Sequence, residues 1–135
     1  MNRILVTGST EGLGRLTAQA LLRDQHEVFV HARNHDRADV LGPLIAEGAH
    51  LVVADLGVRA EVQRMAAELA DQELDAVIHN AGVEGGPALL EVNVVAPYLL
   101  TALRPDVARH VYLSSDMHHG GRAQLAGLHW AHGTT

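Results

Sequence analysis

Cysteine and lysine are both absent from the 135-residue chain, and aromatic residues make up only 3% of it. Without cysteine there is no disulfide framework, no thiolate metal site and no cysteine nucleophile. Without lysine, a mechanism that needs an ammonium group or a Schiff base cannot use this chain's own residues. The scarcity of aromatic residues predicts a core built from Val, Leu, Ile and Ala.

Charge and hydropathy exclude further classes. All the basic residues are arginines and the formal net charge is −6, so the chain lacks the basic face that nucleic-acid binding requires. No apolar run approaches the ~18 residues of a membrane span. The first apolar run, at residues 4–6, is too short for the core of a signal peptide. We therefore expect a folded cytoplasmic protein with neither a nucleic-acid nor a membrane partner.

Short apolar runs alternate with stretches of helical periodicity along residues 3–114. Such alternation predicts an α/β fold in which a parallel sheet is covered by helices on both faces. We predict a Rossmann-like, doubly wound sheet of about five strands. The predicted strands are Ile4–Val6, Val28–Val30, Leu51–Ala54, Ala76–Ile78 and Val111–Leu113.

Four helical stripes lie between these strands. The first begins at Gly12, and the second is predicted to end at Gly48, a residue type suited to the C-terminal cap. The predicted core-facing residues are Leu13, Leu16, Ala20 and Leu21 in the first stripe, Val40, Leu41, Leu44 and Ile45 in the second, Val62, Met65, Ala66 and Leu69 in the third, and residues within Leu89–Leu103 in the fourth.

The last segment differs in composition from the rest. Residues 1–115 carry the strand–helix alternation, whereas residues 116–135 are rich in His and Gly and are predicted to form a loop, a weak helix or a disordered tail ending in Gly133-Thr134-Thr135. The pairs His118-His119 and His129-x-x-His132 carry imidazoles that suit a transition metal. Because no cysteine supports a closed site and the glycines prevent preorganisation, we predict solvent-facing histidines and no metal site.

The segment Thr7–Gly14 joins the first strand to the first helix and carries three glycines. Gly8 permits a tight exit from the strand, Gly12 allows backbone amides to approach a pyrophosphate at the helix N-terminus, and Gly14 allows close helix packing. The alternative is a glycine-rich turn that binds nothing. The predicted cofactor-binding residues here are Thr7, Gly8, Ser9, Thr10, Gly12, Leu13 and Gly14.

The end of the second strand indicates which dinucleotide is preferred. A fold that prefers NAD places a carboxylate at this position to bind the ribose 2′-hydroxyl, but the chain has Ala32 followed by Arg33. A guanidinium suits a 2′-phosphate, which favours NADP over NAD. Glu11 adds no positive charge to the loop, so the preference is predicted to be moderate. The alternative is a surface arginine without a ligand.

Polar residues also follow the third, fourth and fifth strands. Asp55-Leu56, Asn80-Ala81-Gly82 and Ser114-Ser115 lie at strand ends, where an open parallel sheet binds its ligands. A helix cap, a turn and a strand-end cap would explain them without any ligand. Asn93 precedes Pro97 by four residues, and the missing proline N–H predicts a bend there.

These motifs together resemble the short-chain dehydrogenase/reductase family, in its single-domain branch with the TGxxxGxG motif and nearest to retinol-dehydrogenase-like reductases. Thr7, Gly8, Gly12 and Gly14 match the cofactor motif. The resemblance implies that Asp55-Leu56 lies beside the adenine ring and that Asn80-Ala81-Gly82 is the NAG motif. It also implies that Asn93 and Ser115 are catalytic, in a hydride transfer between NADP(H) and a carbonyl compound or secondary alcohol.

One family motif has no counterpart here. The resemblance implies a YxxxK motif after the serine, but Tyr98 and Tyr112 precede Ser115 and there is no lysine. The chain is thus expected to be a truncated, NADP-binding portion that is inactive alone, with its fifth strand as an exposed edge and a homo-oligomer as one way to cover it. The alternatives are a non-catalytic dinucleotide-binding or regulatory module, and a truncated gene product without independent function.

Overall fold

The computed structural model describes residues 1–126, which contain one five-stranded sheet. All strand pairs are parallel, and the strand order is β3-β2-β1-β4-β5. The predicted fold class is therefore confirmed. The strands are β1 Arg3–Val6, β2 Glu27–Ala32, β3 His50–Val53, β4 Ala76–His79 and β5 Arg109–Tyr112.

Helical segments connect the strands and cover both faces of the sheet. The α-helices are α1 Gly12–Arg23, α2 His35–Ala38, α3 Gly42–Ala46, α4 Arg59–Glu68 and α5 Ala96–Leu103. Short 3₁₀ turns occupy Asp39–Leu41 and Asp116–Gly120, and a π-helical turn, Glu91–Val95, leads directly into α5. Helices α1 to α3 pack on one face through a core that contains Val6, Val28 and Val30, whereas α4 and α5 pack on the other through Leu5 and Val77.

The chain reverses its direction of growth across the sheet between β3 and β4. Strands β1, β2 and β3 are added toward one edge, and the chain then returns to place β4 on the other side of β1. Connections leaving the carboxyl ends of β1 and β4 therefore diverge to opposite faces. This divergence opens a crevice at those strand ends, which is where ligands bind in folds of this type.

The core face predicted for α1 was wrong for Leu13, Leu16 and Ala20, which are exposed, whereas Leu21 is half-buried and packs against the core. Leu13 and Leu16 are 68% and 61% exposed, and the buried residues of α1 are Gly14 and Ala18. Small residues face the sheet because α1 begins against the end of β1, where no larger side chain fits. Of the next predicted stripe only Leu41 and Leu44 are buried, because three short helical segments replace one continuous helix, although Gly48 follows α3 as predicted.

The distortion predicted around Asn93 takes the form of the π-helical turn. Pro97 has no N–H to donate to the carbonyl of Asn93, so the regular i→i−4 pattern is interrupted there. The turn is held by buried Glu91, whose carboxylate accepts hydrogen bonds from the Arg59 guanidinium at 2.7–3.2 Å. The N-terminus of α4 is thereby tied to the helix that carries Asn93.

Strand β5 is at the edge of the sheet in the described part of the chain, with Tyr112 54% exposed. Self-association through this edge stays a prediction. Within residues 1–126, no helix combines the length and apolar character needed to cross a membrane. The predictions for His129, His132 and residues 133–135 fall outside the described residues.

Two histidines lie in the interior of the sheet, on β2 and β4. His31 is 3% exposed and His79 is 6% exposed. Burial lowers the pKa of His31, and burial together with the charge of nearby His110 lowers the pKa of His79 to about 4. Both rings are therefore neutral in the folded protein at neutral pH.

We predict that acidification from about pH 6.5 to pH 5 destabilises the fold, since a histidine in the unfolded chain binds a proton near its ordinary pKa of about 6.5. For each histidine that stays neutral when folded, the free energy of unfolding falls by at most about 1.4 kcal/mol for each pH unit of acidification in this range. The measurement is urea unfolding at several pH values. His79→Phe, which keeps a ring to stack on Tyr112, should give a shallower pH dependence; an unchanged slope would contradict the assignment.

Candidate functional site

An open cleft of about 730 Å³ lies at the carboxyl ends of the central strands. It brings together predicted residues from the β1–α1 loop, the end of β2, the end of β3 and the end of β4. The predicted residues that line it are Gly8, Thr10, Arg33, Asp55, Leu56, Asn80, Ala81 and Gly82. Eight of the thirteen predicted cofactor-binding residues thus lie on a single concave surface.

The floor of the cleft is fixed by two buried hydroxyl residues of the β1–α1 loop. The Thr7 hydroxyl oxygen accepts hydrogen bonds from the backbone N–H groups of Asn80 and Ala81, both at 3.0 Å. The Ser9 hydroxyl donates to the Val6 carbonyl and accepts from the backbone N–H of His31. Thr7 and Ser9 therefore hold the loop from below and do not line the cleft.

The start of α1 leaves its backbone amides open toward this end of the sheet. Gly12 has φ +58°, and a Cβ built on it would meet no atom within 4 Å. The N-cap residue, Glu11, makes no side-chain capping hydrogen bond. Uncapped N–H groups at a helix N-terminus attract anions, because the helix dipole is positive there. Glu11 lines the cleft, whereas Gly12, Leu13 and Gly14, in the first turn, do not.

Gly14 lies where the loop, α1 and the end of β4 meet. A Cβ at this position would be 2.1 Å from the Gly8 carbonyl oxygen and 2.3 Å from Asn80 Nδ2. The Asn80 carboxamide in turn donates to the carbonyl oxygens of Thr7 and Gly8, at 3.1 and 3.0 Å. Only glycine at position 14 allows this contact between the helix and the two strand ends.

One end of the cleft carries positive charge. Arg33 is exposed and makes no ion pair or hydrogen bond within residues 1–126. Arg37 pairs with Glu11 at 3.2 Å across the mouth of the cleft, and its backbone N–H donates to the Asn34 side chain, the N-cap of α2. The arrangement can receive a phosphate dianion beside Arg33.

The wall formed by the end of β3 is held by a local turn. The Asp55 carboxylate accepts from the backbone N–H of Gly57 at 2.9 Å, and the backbone N–H of Asp55 donates to Glu61 at 3.0 Å. The N-cap of α4 is Val58, so Asp55 does not cap that helix. Leu56 is buried and offers an apolar surface beside it.

The two residues predicted to be catalytic make separate hydrogen bonds, and neither lines the cleft. The Asn93 side chain forms a pair of 2.8 Å hydrogen bonds with the backbone of Val83, and its Oδ1 lies 3.5 Å from a Cβ built on Gly82. Ser115 is exposed and accepts from the Met117 N–H at 3.2 Å, as the N-cap of a 3₁₀ turn. No hydrogen bond joins Asn93 to Ser115 in the described part of the chain.

Several lining residues were not found from the sequence. Asn34 and Arg37 follow an N-cap pattern after β2 that could have been read, whereas nothing local distinguishes the apolar lining residues. His31 lies just beyond the predicted second strand, Val28–Val30, and no role was predicted for it. The lining residues missed are Glu11, His31, Asn34, Arg37, Val83, Ala88 and Val92. Across residues 1–126, no group of three or more His, Asp or Glu side chains is placed to hold a metal ion.

We predict that Gly14→Ala destabilises the fold by about 2 kcal/mol or more, because the added methyl overlaps the Gly8 carbonyl and the Asn80 amide. The measurement is the urea midpoint at constant slope. Gly85→Ala is the matched control. Gly85 is exposed, its φ is not positive, and a Cβ there meets nothing within 4 Å, so its free energy of unfolding should change by less than about 1 kcal/mol. Equal effects of the two substitutions would contradict the close approach.

Comparison with known proteins agrees with this geometry. A family model described as short chain dehydrogenase matches residues 2–102. Among curated proteins, the chain is 38% identical over 140 residues to short-chain dehydrogenase chry4 of Gibberella zeae, covering 96% of this chain and 54% of that protein. It is 36% identical over 140 residues to short-chain dehydrogenase chyC of Penicillium rubens, covering 96% of this chain and 54% of that protein. The chain spans about half the length of these curated relatives.

Solved structures share the fold. The Pseudomonas aeruginosa RhlG/NADP active-site complex has a TM-score of 0.74 and 27% identity, covering 84% of this chain and 54% of that one. A short chain dehydrogenase from Shigella flexneri complexed with NADP has a TM-score of 0.75 and 29% identity, covering 90% and 62%. The family model, the curated relatives and the parallel sheet agree: the chain belongs to the short-chain dehydrogenase/reductase family.

Proposed function

We propose that this chain is the NADP-binding portion of a short-chain dehydrogenase/reductase that interconverts a carbonyl compound and a secondary alcohol. The observation that carries the proposal is the pairing, in one cleft, of an uncapped helix N-terminus with an arginine that has no partner in the described residues. The first suits a pyrophosphate, and the second suits an additional phosphate on the adenosine ribose.

The residues present fit the pyrophosphate end of a dinucleotide. Gly12 presents open space where any other residue would place a side chain, so a ligand can approach the backbone amides of the first turn of α1. The loop residues Gly8 and Thr10 line the cleft beside it. Since Thr7 and Ser9 fix the loop from beneath, the amides do not have to be reordered when an anion binds.

The residues also fit the adenosine end. Arg33 is the side chain available to a 2′-phosphate, and a guanidinium can bind such a group through two charge-assisted hydrogen bonds. Asp55 and Leu56 form the neighbouring wall, one polar and one apolar, as an adenine ring requires. Because Glu11 pairs with Arg37, the described residues of the cleft offer one unpaired arginine and not two, which supports a moderate preference for NADP over NAD. Two structural relatives are described as NADP complexes.

When bound, NADP(H) supplies or accepts the hydride at its nicotinamide ring. In this proposal Ser115 donates a hydrogen bond to the substrate oxygen, and Asn93, held by the backbone of Val83, supports a proton relay. The general acid or base must come from a group with a suitable pKa, and the chain has neither a tyrosine after Tyr112 nor any lysine. Hydride transfer by the 135-residue chain alone is therefore negligible in this proposal.

A second candidate is a non-catalytic dinucleotide-binding or regulatory module. The observation that favours it is the same lack of a proton-transferring tyrosine and lysine in a chain whose cleft is otherwise well formed. A protein without independent function is the third candidate, and it predicts no measurable affinity. Cofactor titration separates the third candidate from the other two. The reading frame of the gene beyond codon 135 separates the first two, because a YxxxK sequence there favours the enzyme.

We predict that Arg33→Ala weakens NADP binding by about tenfold, because one charge-assisted contact to the 2′-phosphate is lost, and leaves NAD binding within about twofold. Isothermal titration calorimetry with each dinucleotide measures both. Arg23→Ala, an exposed arginine in the last turn of α1, is the matched control and should change neither affinity.

A second variant should increase the preference for NADP over NAD. Glu11→Gln removes the carboxylate that pairs with Arg37 and a negative charge beside the phosphate-binding loop. NAD and NADP should therefore both bind more tightly, and NADP should gain a few-fold more than NAD because Arg37 becomes available to its additional phosphate. If Arg33→Ala lowers the affinities for NAD and NADP equally, the guanidinium does not read the 2′-phosphate and the NADP assignment is wrong.

We predict that the purified 135-residue chain does not oxidise NADPH above background with a panel of aldehydes and ketones, even where calorimetry shows that the dinucleotide binds. The physical reason is the absence of the proton-transferring group. Spectrophotometric assay at neutral pH makes the measurement. A turnover number of about 1 s⁻¹, at the lower end of the range of ordinary enzymes, would show that another side chain moves the proton.

A further inference from the structure

His31 is the buried titratable residue that touches the phosphate-binding loop directly. It lies on β2, one residue before the strand ends, and its side chain lines the inner wall of the cleft. The backbone N–H of Gly8 donates to His31 Nδ1 at 2.9 Å. On the other side of the ring, Nε2 donates to the carbonyl oxygen of Ala54 at 2.8 Å. One imidazole thus spans from the end of β1 to the end of β3.

These two bonds define the tautomer of the ring. Because Nδ1 accepts from an N–H and Nε2 faces a carbonyl, the proton is on Nε2 and the ring is neutral. Burial lowers the pKa of His31 and so keeps Nδ1 available as an acceptor, although the bond to Ala54 and the charge of Asp55 act in the opposite direction. A protonated ring would present a second N–H to the N–H of Gly8.

The contact matters because Gly8 has a left-handed backbone, with φ +67°. At this residue the chain leaves β1 and turns toward α1, so the orientation of the Gly8 peptide sets the path of the residues that follow. The main chain of His31 adds two bonds to the next residue: Ser9 N–H donates to the His31 carbonyl, and the His31 N–H donates to the Ser9 hydroxyl, both at 3.0 Å. The ring and the backbone of His31 together hold two consecutive loop residues.

We propose that His31 is a positioning residue for dinucleotide binding: its Nδ1 acceptor holds the loop at Gly8 in the conformation that receives the pyrophosphate. The inference rests on the proposed function, since it concerns the same cleft. The ring itself makes no contact with the ligand in this proposal. Its effect reaches the ligand through the amides that follow Gly8.

The two ends of the ring can be tested separately. Asparagine places its side-chain oxygen close to the position of Nδ1, whereas glutamine places its amide close to the position of Nε2. His31→Asn therefore keeps the acceptor for Gly8 N–H and loses the bond to Ala54, and His31→Gln does the opposite. Each variant loses one hydrogen bond and retains a polar group, so the pair is matched in the number of hydrogen bonds lost, and the melting temperature of each variant measures its cost to stability.

Calorimetric titration with ADP, NADP and 2′-AMP then distinguishes loop positioning from general damage. ADP and NADP carry a pyrophosphate, whereas 2′-AMP carries only the phosphate proposed to bind Arg33. We expect His31→Gln to lower the affinities for ADP and NADP by about tenfold and to leave the affinity for 2′-AMP within about twofold of that of the unaltered chain. His31→Asn should keep all three affinities within about threefold of the unaltered chain.

Three results would overturn the inference, and they can be told apart. Equal ADP affinities for the asparagine and glutamine variants mean that the Nδ1 acceptor does not matter. Loss of 2′-AMP binding in both variants, with a matching drop in melting temperature, means that His31 holds the fold and not the loop. If the unaltered chain binds neither ADP nor NADP, the proposed function fails as well, and the unaltered titrations alone reveal that case.

Discussion

The site depends on the approach of Gly14 to the carbonyl oxygen of Gly8 and the carboxamide of Asn80. At that point the first helix, the end of β1 and the end of β4 meet, with no space for even one methyl group. The Asn80 carboxamide donates hydrogen bonds to two backbone carbonyl groups that the turn at the end of β1 would otherwise leave without a donor. The same contact orients the first turn of α1 and fixes the separation of the strands on either side of the crevice.

Much of the fold follows from patterns that the sequence displays locally. The strands are short β-branched runs, the glycine spacing after β1 is specific, and the parallel arrangement follows from the alternation of strands and helices. The strand order was not predicted, because alternation does not determine on which side of β1 the chain adds each strand. The residues lining the cleft at strand ends could be predicted for the same reason. What failed was the choice of face on α1, because periodicity ranks Leu13 and Leu16 above Gly14 and Ala18, whereas packing against a strand end admits only small residues.

Other parts of the site depend on contacts that periodicity does not encode. His31 falls outside the strand predicted from the pattern, and only the three-dimensional arrangement shows that it lies on β2 with its ring between Gly8 and Ala54. The π-helical turn could be anticipated as a distortion from Pro97, but not its tie to Arg59 through buried Glu91. Ser115 matches a motif by order alone, and its hydrogen bond to Met117 is what any serine can form at the start of a turn.

The ion pair between Glu11 and Arg37 bears on how the cleft responds to its medium. Both side chains are largely open to solvent, at 80% and 47% exposure, so dissolved ions screen their attraction readily. Raising the ionic strength weakens the electrostatic attraction of Arg33 for a phosphate dianion. It also weakens the ion pair that holds Arg37 to the Glu11 carboxylate. The two effects oppose each other, which gives the cleft a shallower dependence on salt than a pair of unengaged guanidinium groups would have.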